Sequence, residues 1–270
     1  MMHIQKTDRN ITFNAGLTNQ LKTEIASCKP KQIEKYMKNI GIKADFKHNK
    51  VVAWSSLKCC EFVQELNKKY KLNLSLPNGI IIGDFQKLYG SNEYDMGLTN
   101  FTPAYLYKTK NVIVPEKTIF FNSQNVDWRK IDSLSDELYA NGVTGTDFFL
   151  ESFLHEFMHV IHLDNLLRKI GIQKLYVCLT KSQSSKFLKA FQEQNGRTLS
   201  QICHYAASNP FESVACDLAK SGIKVLDKDC LIPQKNIFNR PPYKKRAYFL
   251  IPNKESKKDK IIRNLWNGKF

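Results

Sequence analysis

Residues 147–171 read DFFLESFLHEFMHVIHLDNLLRKIG. Phe149, Leu150, Phe153, Leu154, Phe157, Met158 and Ile161 recur at helical spacing, Thr146 or Asp147 can cap the start, and Gly171 supplies a stop. Few positions before Arg168 are charged, so this predicts a helix buried on most sides. Within it stand His155, Glu156 and His159. Residues i and i+4 share a face, so the two imidazoles can converge on one Zn²⁺ at about 2.0–2.1 Å. Glu156 lies about 100° round the helix from His155. It is too far off-axis to ligate with the pair, yet near enough to hold a water on the metal and take its proton. The spacing is HExxH.

A catalytic zinc needs a third protein ligand and an open position. His162 has the right direction but stands about 10.5 Å along the axis from His155, too far for one ion, and reads as a supporting or surface polar group. Asp164 points about 140° from His159 and reads as solvated. The better ligand is Glu212, in Asn209-Pro210-Phe211-Glu212. There Asn209 reads as a cap, Pro210 as the first helical residue, and Ala215 and Ala219 permit close helix packing, up to Gly222. The competing role for Glu212 is a capping-box partner of Asn209. The demand of the metal for a third donor favours ligation.

With these residues in place, the pattern resembles the gluzincin metallopeptidases. The stretch Tyr205-Ala206-Ala207-Ser208-Asn209-Pro210-Phe211-Glu212-Ser213-Val214-Ala215 is similar to the second zinc-ligand segment of the anthrax-lethal-factor-like group. The resemblance covers about residues 100–220. It implies one Zn²⁺ per chain on His155, His159 and Glu212, with Glu156 as base. Tyr205, seven residues before Glu212, would donate to the oxyanion, with His204 as an alternative on another face. The family often has an acid four residues after its glutamate ligand, where this chain has Cys216; it also tends to place aspartate three or four after the second histidine, where His162 and Leu163 stand. Glu151, one turn before His155, is the acid that could take over their support.

The resemblance implies an α+β, zincin-like fold: a small mixed sheet over the metal helix, then a helical C-terminal subdomain. The rest of the chain suits it. Residues 15–39 read as two short helices broken at Cys28-Lys29-Pro30. Residues 43–54 alternate as a strand or a hairpin turning at His48-Asn49, and Leu57 to Tyr70 has helical spacing. Gly79 to Gly83, Phe101 to Tyr107 and Lys117 to Asn122 read as strands, the last as the edge or neighbouring strand for a peptide. Ser182–Gln194 and Leu199–Ala207 read as helices, and from Leu231 onward no pattern is visible. The expected units are an N-terminal helical segment (1–40), a zincin-like domain (41–222) and a basic extension (223–270).

Composition sets the outer bounds. The 270 residues, 42% apolar, can bury a core without staples. Forty-one Lys+Arg against 25 Asp+Glu give +16, and 11 basic against two acidic residues in the last 40 carry more than half of it. Tyr243, Tyr248, Phe249 and Trp266 interleave with Lys244, Lys245, Arg246 and Arg263, so nucleic acid is a second partner class beside a peptide or protein substrate. Seven scattered cysteines without a CxxC pair read as reduced thiols. No apolar run approaches 18 residues, and the opening MMHIQKTDRN is polar. The expectation is no membrane span, and a cytoplasmic chain or one exported without such a signal. Oligomeric state has no signature in the sequence.

Overall fold

The computed structural model describes residues 19–84, 96–100, 117–123, 127–225 and 256–269. Two short helices open it, α1 (Asn19–Ser27) and α2 (Pro30–Asn39), with the break at Cys28-Lys29 where the sequence places it. Strand β1 (Lys43–Asp45) follows, then α3 (Lys50–Tyr70) and β2 (Gly79–Gly83). Of the two readings for 43–54, a strand forms over Lys43–Asp45 and the hairpin does not. Lys47 and His48 take left-handed backbone, and Asn49 caps α3 by accepting the Val52 N–H at 3.0 Å. The chain thus turns from strand into helix, and β1 pairs with β2 in parallel through the α3 crossover.

The sheet has four strands in the order β1, β2, β4 (Thr118–Asn122), β3 (Gly97–Asn100). The first three are parallel, and β3 runs antiparallel to β4, with Gly97 opposite Phe121 and Asn100 opposite Thr118. All five residues of β4 are buried. It is therefore an interior strand, the neighbour of the edge rather than the edge itself, which is one of the two readings the sequence allowed; β3 closes the described sheet. The strand expected over 101–107 lies outside the described residues.

After a 3₁₀ turn (Trp128–Lys130) and α4 (Ile131–Ala140) comes the long helix α5 (Leu150–Ser182). Its backbone leaves the helix at Gly171, φ 75 and ψ 165, a conformation that suits glycine and matches the expected stop. Neither Thr146 nor Asp147 is its cap; Phe149 precedes it with no side-chain cap, and Glu151 turns back to accept the Gly145 N–H and the Thr146 hydroxyl. Phe153 packs on Phe121 at 4.7 Å between ring centroids and on Trp128 at 5.6 Å, which fixes α5 against β4.

Helices α6 (Ser185–Leu199), α7 (Pro210–Val225) and α8 (Lys257–Trp266) complete the fold. Residues 205–207 form only a 3₁₀ turn before α7, not the longer helix expected there. Ala215 and Ala219 are fully buried where α7 lies along α5. One apolar cluster takes in Leu21 and Met37 at the N-terminal end and Ile262, Leu265 and Trp266 at the C-terminal end. The stretch expected to lack pattern thus holds a docked amphipathic helix, and the Trp266 ring, 7% exposed, is committed to the core. The other aromatics of the basic tail, Tyr243, Tyr248 and Phe249, lie outside the described residues. The architecture is α+β, mostly helical, and among the described residues no helix is long and apolar enough to cross a membrane.

Candidate metal centre

Helix α5 presents His155 and His159 one turn apart, their rings edge to face with centroids 4.6 Å apart and Nε2 atoms 2.9 Å apart. Helix α7 presents Glu212 from its first turn. Asn209 caps that turn, its Oδ1 accepting from Phe211 N at 2.9 Å and Glu212 N at 3.0 Å. The Glu212 carboxylate does not close a capping box. Its Oε2 lies 2.9 Å from His155 Nε2 and 3.3 Å from His159 Nε2. Zinc bonds of about 2.0–2.1 Å at tetrahedral angles set donor atoms about 3.3 Å apart, so this spacing fits one ion with small adjustments. Among the described residues this trio is the group of histidine, cysteine and acid side chains close enough to hold a metal, its ligand atoms within 4.8 Å of one another.

The electrostatics agree with convergence. Burial pushes the Glu212 carboxyl up, but the two histidines outweigh it and hold it far below the usual range. Burial opposes charge on His159, yet Glu212 raises its pKa above the ordinary value.

Glu156 faces a different neighbour. Its Oε2 accepts the Thr99 hydroxyl at 2.6 Å, and that hydroxyl is also 3.1 Å from the Glu156 carbonyl oxygen. Gly97 makes this approach possible, since a Cβ there would stand 2.9 Å from Glu156 Cγ. Strand β3 therefore positions the acid that α5 supplies. Both sit on a cavity of about 510 Å³, whose lining includes the histidines, Glu212 and Tyr205, with Leu134, Leu138 and Val143 on an apolar wall. The Tyr205 ring lies 6.0 Å from the His155 ring, and the residue is 41% exposed. His204 is not in the lining; its backbone N–H bonds Gly142 O at 2.6 Å.

Other expected residues go elsewhere. His162 is fully buried, stacked on Trp266 with centroids 5.4 Å apart, and its Nε2 donates to Leu265 O at 3.2 Å. It supports α8 and is not at the metal centre. Asp164 is buried, not solvated: Ser75 Oγ bonds it at 2.6 Å, Arg168 Nε at 2.7 Å, and Lys117 pairs with its other oxygen. Burial opposes its charge, but those three donors hold its carboxyl below the usual range. Glu151 spends its oxygens on Gly145 and Thr146, and Cys216 Sγ lies against His155 Nδ1 at 3.6 Å instead.

The buried His162 has a pH consequence. Burial pushes its pKa down to about 3, with Lys169 and His159 adding to the depression and the Leu265 carbonyl opposing it. The unfolded imidazole titrates near 6.5, so as pH falls below that value the unfolded chain gains a proton that the folded chain refuses. Stability from this group is intact above about pH 6.5 and drains away down to about pH 3, with about 2 kcal/mol lost by pH 5. Urea midpoints at pH 7 and pH 5 should therefore differ less in His162→Gln than in the wild type; equal slopes would refute the assignment. Thr99 is the site neighbour that sequence reasoning missed, since β3 has no strand signature; Cys216, which stands where the resemblance expects an acid, is the group that meets His155. Against known proteins the chain matches no family model, no curated protein and no solved structure; the site's own atoms carry its chemistry.

Proposed function

We propose that the chain is a zinc-dependent metallopeptidase of the gluzincin kind, with a zincin-like arrangement of β3 and β4 beside helix α5. The observation that carries this reading is the meeting of His155 Nε2, His159 Nε2 and Glu212 Oε2 at 2.9–3.3 Å from two separate helices. Two imidazole nitrogens and a carboxylate form the donor set of a catalytic zinc. When bound, the ion supplies Lewis-acid polarisation of the scissile carbonyl and makes water acidic enough to be deprotonated near neutral pH.

The protein's own groups do the rest. A peptide laid along β3 brings its carbonyl to the mouth of the cavity. Glu156, held by Thr99, takes the proton of the attacking water at its carboxylate and delivers it to the leaving nitrogen as the C–N bond breaks. The Tyr205 hydroxyl donates to the carbonyl oxygen as it gains charge. Leu134, Leu138 and Val143 keep that side of the cavity dry and suit an uncharged substrate side chain.

The test is metal analysis coupled to a peptide-library digest. One zinc per chain is expected, lost in His155→Ala, with cleavage that a chelator stops and zinc restores. A folded wild type that takes up no zinc would overturn the reading; zinc uptake with no cleavage of any peptide would make the chain a binding module. For Tyr205→Phe, kcat is expected to fall by about 10²–10³-fold with KM little changed, the pattern of a donor used only in the transition state. Unchanged kcat would remove Tyr205 from the chemistry.

A further inference from the structure

At Gly171 the chain of α5 turns back on itself. The glycine backbone, φ 75 and ψ 165, separates a site arm that carries the histidines from a return arm that ends at Ser182. Leu163, Leu166 and Leu175 join Phe211 in one buried apolar cluster, with Ile170 and Leu179 packed against it. Residues on both sides of the glycine thus meet the same cluster, as the two arms of an antiparallel helical hairpin do. The register follows from the spacing. Leu163 stands eight residues before Gly171 and Leu179 eight after; His159 stands twelve before and Gln183 twelve after. At a rise of 1.5 Å per residue each arm runs about 18 Å from the turn, so Gln183 returns to the level of His159. The cavity agrees, since Leu179, Ser182 and Gln183 line it together with His159, Leu163 and Phe211.

The cavity therefore has two unlike ends. One is the wall of Leu134, Leu138 and Val143, tied to the start of α5: Leu138 O accepts the Val143 N–H at 2.8 Å, and the Gly145 N–H bonds Glu151 at 2.7 Å. The other lies past His159, with an apolar floor of Leu163, Leu179 and Phe211 and a polar rim. The Ser182 hydroxyl donates to Leu179 O at 2.7 Å, which leaves its oxygen free to accept, and the exposed Gln183 carboxamide can both donate and accept. From Ser152 to Leu163 the ends stand about 16 Å apart along α5, with the metal trio between them. A peptide bond cut at the trio places one neighbouring side chain toward each end. The chain carries 41 lysines and arginines, yet none is among the described residues of the lining, and the acids there already have partners.

We propose that the return arm is the selectivity element of this cleft: it receives a substrate side chain with an apolar stem and an uncharged polar tip on one side of the scissile bond, while the opposite end receives an aliphatic or aromatic one on the other. This deepens the peptidase reading and rests on it. The stem lies over Leu163, Leu179 and Phe211, and the tip exchanges hydrogen bonds with Gln183 and Ser182. A charged tip meets no counter-ion at either end, so lysine, arginine, aspartate and glutamate are disfavoured at both positions.

The experiment gives the zinc-loaded full chain a library of short peptides with one fixed leucine and randomised neighbours, and reads the cut sites by mass spectrometry. The wild type is expected to cut between the leucine and an uncharged polar-tipped residue such as glutamine or tyrosine. Gln183→Glu should enrich lysine and arginine at that second position by about two- to fivefold and leave the leucine side as it was. Gln183→Lys should do the same for aspartate and glutamate. Because Gln183 is exposed, neither change threatens the fold. The proposal is overturned if the Gln183 variants cut with the preference of the wild type, or if both sides of the cut shift equally. A second readout needs no turnover: the same library is passed over immobilised Glu156→Gln chain with and without Gln183→Glu, and the peptides retained should differ in lysine and arginine content next to the leucine by the same factor. Equal retention overturns the role of the arm. A wild type that takes up no zinc marks a failure of the metal reading, and the retention readout then still decides on the arm.

Discussion

Glu156→Gln is expected to lower peptide hydrolysis by about 10²–10⁴-fold while zinc stays bound at one per chain. The two outcomes separate because Glu156 belongs to the α5 surface beside β3, not to the trio on Glu212. Glutamine keeps the length of the side chain, which matters where Gly97 leaves so little room. Its amide oxygen can still accept the Thr99 hydroxyl, so position is conserved and only basicity is lost. KM should change little, since in the proposed mechanism the carboxylate acts on water and not on the bound chain. Zinc lost together with activity would make Glu156 a ligand; activity retained would move the base elsewhere. Parallel kinetics and metal analysis on one preparation decide between these.

What was legible in the sequence is what short-range spacing encodes. Two histidines four apart must share a helix face, and Asn209-Pro210 opens a helix wherever it sits, so His155, His159 and the first turn of α7 could be placed early. That Glu212 leaves its own helix to reach the histidines is tertiary, yet the metal's need for a third donor made it an expectation. Strand β3 was not legible. Its residues, Gly97 to Asn100, have no β-branched run, and their conformation is set by pairing with β4 about 20 residues on. Thr99 entered the site by that route alone. Asp164 failed for a related reason: helical geometry placed it away from His159, but not toward Lys117 and Ser75, which arrive from distant segments. In the tail, lysines masked the spacing of Ile262, Leu265 and Trp266, which only a waiting apolar groove turns into a buried face.

That groove makes Trp266→Ala the second large effect, an expected loss of about 3–5 kcal/mol in unfolding free energy. The indole is stacked 14° from the plane of His162, and Lys169 sits 5.9 Å over its ring. Its carbonyl accepts from Asn165 Nδ2 at 2.8 Å, so the backbone of α8 is tied to α5 at the point where the ring is buried. Alanine keeps that bond but leaves a void over His162, and water entering the void solvates the imidazole. Two readouts should therefore move together. The urea midpoint at pH 7 should drop, and the extra loss of stability between pH 7 and pH 5 should shrink as the His162 pKa climbs from about 3 toward the ordinary 6.5. The Lys258–Asp217 pair, 2.5 Å apart at the first turn of α8, should hold the helix in place well enough for the variant to remain folded at neutral pH. A loss below about 1 kcal/mol would mean the ring contributes no more than a surface residue does, and α8 would not be part of the core. A large loss with an unchanged pH slope would keep the helix docked but return the depression of His162 to its other neighbours, Phe211 above all, whose ring lies 5.7 Å from the imidazole.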